Sequence, residues 1–371
     1  MKVLAYLNLH HSPGLGPLTR NRNGAVVSFL GRYAFMDFML SNFSNSGFDR
    51  VATLVDSHPH SVLKHLGSRN TFNINTKIGM EIVAYNEGGS KAGPRYNTDI
   101  ANICFNDWIL DQTDPDYVVV APSYFILPLD FRPILKQHIA HKSPVTAVYQ
   151  HVNNAKTEFI GRGIYELNSD GQVINFTRNK GEKNERLIAL EIYIFNKETF
   201  KYLIEEAQKI SSFYTLSDIV AYQAMNGLRV DTYKYDGYVR SMDSYQHYFD
   251  YSFELLNYKV RRQLFIPNWP IYTVTHDTPP AKYEASARVN NAFIANGSLI
   301  AGTIKNAIIS RNVKIEEGAV VENTIIFTDS IIRRNKTISY AIIDKSADIA
   351  IATELSGTPT DILYVRKGDK V

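Results

Sequence analysis

Isoleucine and valine recur at a fixed step near the end of the chain, and that step restricts the fold more than any other feature. Ile309, Ile315 and Val321 are six residues apart, Ile326, Ile332 and Ile338 repeat the spacing, and Ile343 and Ile349 begin it again. From one set to the next the offset is 17 residues, held in three columns: Ile309, Ile326, Ile343; Ile315, Ile332, Ile349; and Ile304, Val321, Ile338. Local context repeats with it, as Asn-Ala-Ile-Ile from Asn306, Asn-Thr-Ile-Ile from Asn323 and Tyr-Ala-Ile-Ile from Tyr340. Three short strands per turn, each sending one branched residue inward, describe a parallel β-helix of the hexapeptide type. An isoleucine-rich antiparallel sandwich is the competing reading, and it has no reason to hold three columns at one period.

Before this region the pattern is different. Val3–Leu9 is an apolar strand running into a turn, Met36–Ser46 has helical spacing, Val51–Val55 is a strand, and His60–Leu66 is helical. Thr98 can cap a helix carrying Ile100, Ile103, Trp108 and Ile109. Tyr117–Ala121 is a strand buried on both faces, Pro133–Ala140 a helix, and Pro144–Tyr149 a strand. Strand and helix in alternation imply an α/β fold, a Rossmann-like and mostly parallel sheet with helices on both faces. Ligands in such sheets bind at the carboxyl ends of the strands. The chain thus divides into an α/β domain over residues 1–258, a connector over 259–286 with Pro267, Pro270, Pro279 and Pro280, and a β-helix over 287–371.

Composition narrows the function. Among 371 residues the net charge is +3 and the basic residues are scattered, which argues against a nucleic-acid surface. Cys104 is the only cysteine, so no intrachain disulfide can form, as in a reducing cytoplasm. No apolar stretch reaches the roughly 18 residues of a membrane span, and the first residues lack a signal sequence. The expectation is a cytoplasmic protein with no membrane and no nucleic-acid partner. His58, His60 and His65 invite a metal reading, but His58 and His60 do not share a helical face, and surface or capping roles are expected.

The motifs come in order: Leu15-Gly-Pro-Leu-Thr19, Phe29-Leu-Gly-Arg-Tyr33, Asp37, Leu40-Ser-Asn42 and Asn45-Ser-Gly47. The series resembles the start of ADP-glucose pyrophosphorylases, the glucose-1-phosphate adenylyltransferases of glycogen and starch synthesis, and the resemblance runs through the β-helix, there left-handed. It implies attack of a sugar phosphate on the α-phosphorus of ATP with release of pyrophosphate. Such catalysis is mostly positioning plus positive charge. In that family glycines admit the triphosphate, an Arg and a Lys neutralise it, and two aspartates hold Mg²⁺.

In this chain the resemblance places other residues at those points. The glycine pair falls on Leu9 and His10, the third glycine on Ser12, the catalytic Arg on Gly14 and the Lys on Gly24. The two metal aspartates fall on Tyr124 and Ser241, with Asp243 two positions further on. On the sugar-phosphate side a Glu-Lys pair becomes Arg178-Asn179, a Ser-Met-Gly becomes Ala189-Leu-Glu191, and of an Asp-Phe-Gly-x-Asp motif only Asp218 persists. Each lost charge contact to a transition state is worth ~3 kcal/mol, about a hundredfold in rate.

The set of losses resembles the degenerate GlgD-type subunit of this family. It implies a non-catalytic or very weakly active regulatory chain, without a metal or cofactor of its own, that assembles with a catalytic subunit holding the Mg²⁺. A heterotetramer is expected, and self-association is possible. Arg20, Arg22 and Arg32 stand near the point where the family binds anionic effectors, and a solvated surface role is the alternative for them. Two other readings stay open: an active adenylyltransferase with Asp243 or Asp218 as relocated metal ligands, and an acyltransferase. The last needs a histidine base on a β-helix coil, and no histidine follows His276.

Overall fold

Val3–Asn8 is buried at every position, so this strand has no polar face to turn to water and must lie between two layers. In the computed structural model, which describes residues 1–67, 71, 72, 74, 81–85 and 96–371, it pairs in parallel with Arg50–Val55 on one side and Tyr117–Pro122 on the other. Glu81–Tyr85 extends the sheet beyond Arg50–Val55, again in parallel. On the other flank the long strand Arg186–Asn196 runs antiparallel to Tyr117–Pro122 and to Val145–Val152, returning from the hairpin of Gly163–Leu167 and Val173–Arg178.

Alternate residues serve the two faces. Val3, Ala5, Leu7, Val51, Val55, Val119 and Ala121 meet the helices Phe35–Asn45, Pro59–Leu66 and Phe131–Ala140. Leu4, Tyr6, Ala52, Leu54, Val118 and Val120 meet Asp99–Phe105, Trp108–Thr113, Lys197–Ile210 and Leu216–Met225. The result is a three-layer α/β/α arrangement. Thr98 caps its helix as expected, accepting from Ala101 N. That helix does not reach Trp108: it ends at Phe105, where the Asn106 side chain bonds back to Asn102, and Trp108 starts a second helix with its ring about half exposed.

Residues 259–286 are less extended than the prolines suggest. They open with the helix Tyr258–Leu264, whose Asn257 cap accepts from Lys259 N, and include the short strand Lys282–Tyr283. This segment is strapped to the Phe35–Asn45 helix. Tyr272 N donates to Ser41 Oγ, Trp269 Nε1 to Asn42 Oδ1, and Asn45 Nδ2 to the Pro270 carbonyl. Asn42 also donates to the Leu127 carbonyl and accepts from Leu129 N, and Ser46 accepts from Phe131 N. Leu40–Asn42 and Asn45–Gly47 are therefore scaffold residues.

The β-helix follows its columns. Ile304, Val321 and Ile338 are paired register partners, as are Ile309, Ile326 and Ile343, and Ile315, Ile332 and Ile349. All nine are buried. The corners recur at the same step: Asn306, Asn323 and Tyr340 hold φ of 47°, 46° and 47°, the left-handed region that asparagine tolerates. The parallel sheets build a left-handed β-helix behind the α/β part. The two parts share one core, in which Phe29, Phe35, Phe38 and Tyr248 pack with Ile308, Ile325, Phe327 and Ile342. At the closest approach Gly31, φ +79°, leaves no room for a Cβ, which would lie 2.8 Å from the Ile309 carbonyl oxygen. Among the described residues no helix is long and apolar enough to cross a membrane.

Candidate functional site

Val3–Asn8, Arg50–Val55 and Tyr117–Pro122 end at one edge of the sheet, and the loops after them form the crevice where such folds take ligands. Leu9 is fully buried in the core and donates its amide to the Leu54 carbonyl. His10 is buried too, with Nδ1 3.0 Å from the Asn97 carbonyl and Nε2 3.0 Å from Asn102 Nδ2. Burial lowers the His10 pKa, so the ring is neutral, donating from Nδ1 and accepting at Nε2. Asn8 Nδ2 donates to the buried Asp99 carboxylate at 2.8 Å, which also takes the Leu216 amide at 3.0 Å. Burial acts to raise the Asp99 pKa, but the contact and charge of His11 outweigh it and the carboxyl stays below its ordinary value. Where a phosphate would need bare backbone amides, the Leu9 side chain packs into the apolar core and His10 is keyed into a polar network.

Ser12 Oγ folds back onto the Leu9 carbonyl. Gly14 is exposed with open space around it, and Gly24 begins a short 3₁₀ turn capped by Asn23. Neither can supply charge to a triphosphate.

Tyr124 directly precedes the strand Phe125–Ile126, which pairs with the strand Arg240–Ser241. Met242 N donates to the Tyr124 carbonyl, and Phe125 pairs with Ser241. The Tyr124 hydroxyl donates to Glu191 Oε2 at 2.6 Å, and the Arg162 guanidinium lies 4.8 Å from its ring centre. Burial and the Glu191 charge push the Tyr124 hydroxyl far above its ordinary pKa, so it remains a neutral donor. Glu191 sits at a bulge in the long strand with φ +54° and has Arg178 3.7 Å from its other oxygen. Mg²⁺ needs hard oxygen ligands, usually carboxylates. A phenol and the Ser241 hydroxyl do not fit it, and Glu191 is already engaged.

Of the relocated candidates, Asp218 completes a capping box with Thr215. Asp243 holds His247 Nδ1 at 2.5 Å through one oxygen, while its other oxygen is buried without a hydrogen-bond partner. Among the described residues no three His, Cys, Asp or Glu side chains converge as a metal site. His58 lies at the start of the Pro59–Leu66 helix with φ 49°, His60 is exposed, and His65 bonds Asp37 at 2.6 Å.

On the sugar-phosphate side Asn179 is a structural strut. Its amide nitrogen reaches the carbonyls of Ala155, Glu158 and Phe159, and its oxygen accepts from Gly181 N. Arg178 is half exposed and stacks on Phe176.

A second place gathers charge. Between the α/β part and the β-helix lies a cavity of about 270 Å³ lined by Arg22, Lys64 and His65 on one side, His276 above, and Arg311, Lys345 and Lys367 on the other. Among the described residues no carboxylate lines it. Arg22 is buried and paired to Asp344, with its other terminal nitrogen lacking a partner. Of the three arginines named from sequence, this one alone lines the cavity. Arg20 is exposed, and so is Arg32, which lies against the Tyr33 ring. The remaining basic residues were not legible singly, although Arg311 and Lys345 stand two 17-residue steps apart, in one column beside Asp344.

Comparison with known proteins agrees with this architecture. Residues 14–238 match the nucleotidyl transferase family and residues 279–359 the GlmU-like C-terminal hexapeptide family. Glucose-1-phosphate adenylyltransferase 2 of Vibrio cholerae is 28% identical over 372 aligned positions, covering 94% of this chain and 90% of that protein. Glycogen biosynthesis protein GlgD of Bacillus subtilis is 28% identical over 364 positions, covering 95% and 92%. Glucose-1-phosphate adenylyltransferase of Pseudothermotoga lettingae is 29% identical over 324 positions, covering 86% and 76%. With more than half its length matched and a hexapeptide β-helix behind it, the chain belongs to the nucleotidyl transferase family, as a homologue of glucose-1-phosphate adenylyltransferases and of GlgD.

Proposed function

We propose that this chain is a regulatory subunit of ADP-glucose pyrophosphorylase in glycogen biosynthesis, non-catalytic or very weakly active by itself. It assembles with a catalytic homologue, as a heterotetramer, and alters that partner's activity. The observation that carries the reading is the closed state of the crevice. His10 is bonded to Asn102 and Asn97, Tyr124 to Glu191, and Asn179 to three carbonyls. These are the positions that would face nucleotide, metal and sugar phosphate. A subunit of this kind holds no Mg²⁺ of its own and works by biasing its partner's conformational equilibrium.

Surfaces for assembly are available. Phe105, Trp108, Phe213 and Met225 are exposed on the helical layer, and Val289, Val320 and Ile351 on the β-helix. Large exposed apolar side chains in number mark contact surfaces. The basic cavity between the two parts supplies a place for an anionic effector, with Arg22 at its wall.

An active adenylyltransferase is the competing reading, and the unpartnered oxygen of Asp243 is the observation on its side. One carboxylate oxygen, with the other held by His247, is a poor Mg²⁺ site. Co-expression with a catalytic homologue from the same genome tests the proposal. A stable complex with changed kcat or effector response is expected; two proteins that purify apart, with the catalytic one unaltered, would contradict it.

A further inference from the structure

We infer that an anion entering the cavity between the α/β part and the β-helix takes up protons from solution as it binds, so that occupancy of this site rises as pH falls. The inference rests on the anionic effector pocket of the proposed function and adds how that pocket is regulated.

The geometry requires it. Seven basic side chains from three segments face a space of about 270 Å³. Asp344 and Asp37 are turned to other partners. Asp344 takes Arg22, the Tyr364 hydroxyl at 2.5 Å and the Lys345 amide at 2.7 Å. Asp37 takes the Ala34 amide at 2.8 Å and His65 Nε2 at 2.6 Å. Like charges in a partly desolvated space disfavour one another's charged forms. Arginines do not yield a proton, so Arg22 and Arg311 stay charged, and it is at Lys345 and His276 that the charged form is disfavoured.

The groups facing each one agree with this. Lys345 is mostly buried, and burial lowers its pKa first, then the charges of Arg22, Lys367 and Lys64, with Asp344 opposing. His276 lies at the exposed rim, and its pKa is lowered by partial burial, then by Arg311, His65 and Lys345, with Asp329 opposing. Arg311 itself is disfavoured by burial and by Arg32. His65 presents its ring at the wall, held from behind by Asp37. A bound dianion opposes the field of the neighbouring cations and favours the charged forms of Lys345 and His276, so that either, where neutral, binds a proton with it. Arg22 is shared between this cavity and the Asp344 pair, which places the site on the contact between the two parts of the molecule.

Sulfate is the probe, because its charge does not change near neutral pH and any proton taken up belongs to the protein. Calorimetric titration of the full chain with sodium sulfate is run in buffers of different ionisation enthalpy. The expected result is a saturable heat that varies with the buffer, equivalent to roughly one proton per sulfate. Affinity should fall by several-fold, up to about tenfold, for each pH unit of increase. His276→Gln combined with Lys345→Met should shrink both effects, and Arg311→Gln should remove the binding. A saturable heat identical in all buffers would overturn the proton coupling and leave the anion pocket standing. No saturable heat would overturn the pocket, and the coupling with it. Undiminished uptake in the His276→Gln, Lys345→Met chain would overturn the assignment of the protons to this cavity.

Discussion

The β-helix and the crevice of the α/β part are built by opposite means. In the β-helix one branched residue in six turns inward, and Ile309, Ile326 and Ile343 stack on copies of themselves. Its order is local, apolar and repeated. In the crevice, His10 is held by Asn97 and Asn102, and Asn8 by Asp99, contacts that join residues 87 to 92 positions apart. That order is polar, long-range and used once. A column is held by repetition of an apolar type, with Thr324 a buried polar member between Ala307 and Ala341, whereas the crevice is held by single polar side chains that bond one another across long stretches of chain.

The comparison can be broken most forcefully at a column. Ile326 is fully buried between Ile309 and Ile343, and Ile326→Ala should cost about 4 kcal/mol, read from the urea midpoint. A loss near zero would mean that the columns do not carry the β-helix. Next comes the contact between the two parts. Gly31→Ala places a Cβ 2.8 Å from the Ile309 carbonyl at a φ of +79°, with an expected cost of about 2.5 kcal/mol by strain and displacement. An unchanged midpoint would show that the two parts are not in tight register at this glycine.

The crevice should respond to pH where the columns do not. Asp99→Asn removes a buried carboxylate that accepts from Asn8 and Leu216, and should cost about 2 kcal/mol at neutral pH. The Asp99 carboxyl is held below its ordinary pKa in the folded chain. Its contribution is therefore complete above the unfolded value of about 3.9 and is lost as pH falls through the lower, folded value. The gap between wild type and variant should narrow below about pH 4. A gap that is constant across that range would mean that the Asp99 charge plays no part in closing the crevice.

The contrast also explains what could be read from sequence. The register of the β-helix was legible because neighbours in space are 17 residues apart and of one type. In the crevice the family resemblance points to positions such as Leu9, His10, Tyr124 and Asn179, but not to what their side chains bond. Asn102, Glu191 and the Ala155 carbonyl come from distant segments, and no local pattern points to them. The basic cavity escaped for the same reason, since His65, His276 and Lys367 meet only when the connector and the chain end fold against the α/β part. Apolar spacing alone puts Trp108 on the helix capped by Thr98, because the break at Asn106 depends on a side chain bonding back.

Whether side chains bonded to one another in the crevice leave any adenylyltransferase chemistry is read from turnover by this chain alone. Purified without a partner and supplied with ATP, glucose 1-phosphate and Mg²⁺, it should form ADP-glucose at least about 10⁴-fold more slowly than an active homologue, the effect of losing two or more charge contacts to the transition state. Turnover in the ordinary enzyme range of roughly 1–10³ s⁻¹ would contradict the account.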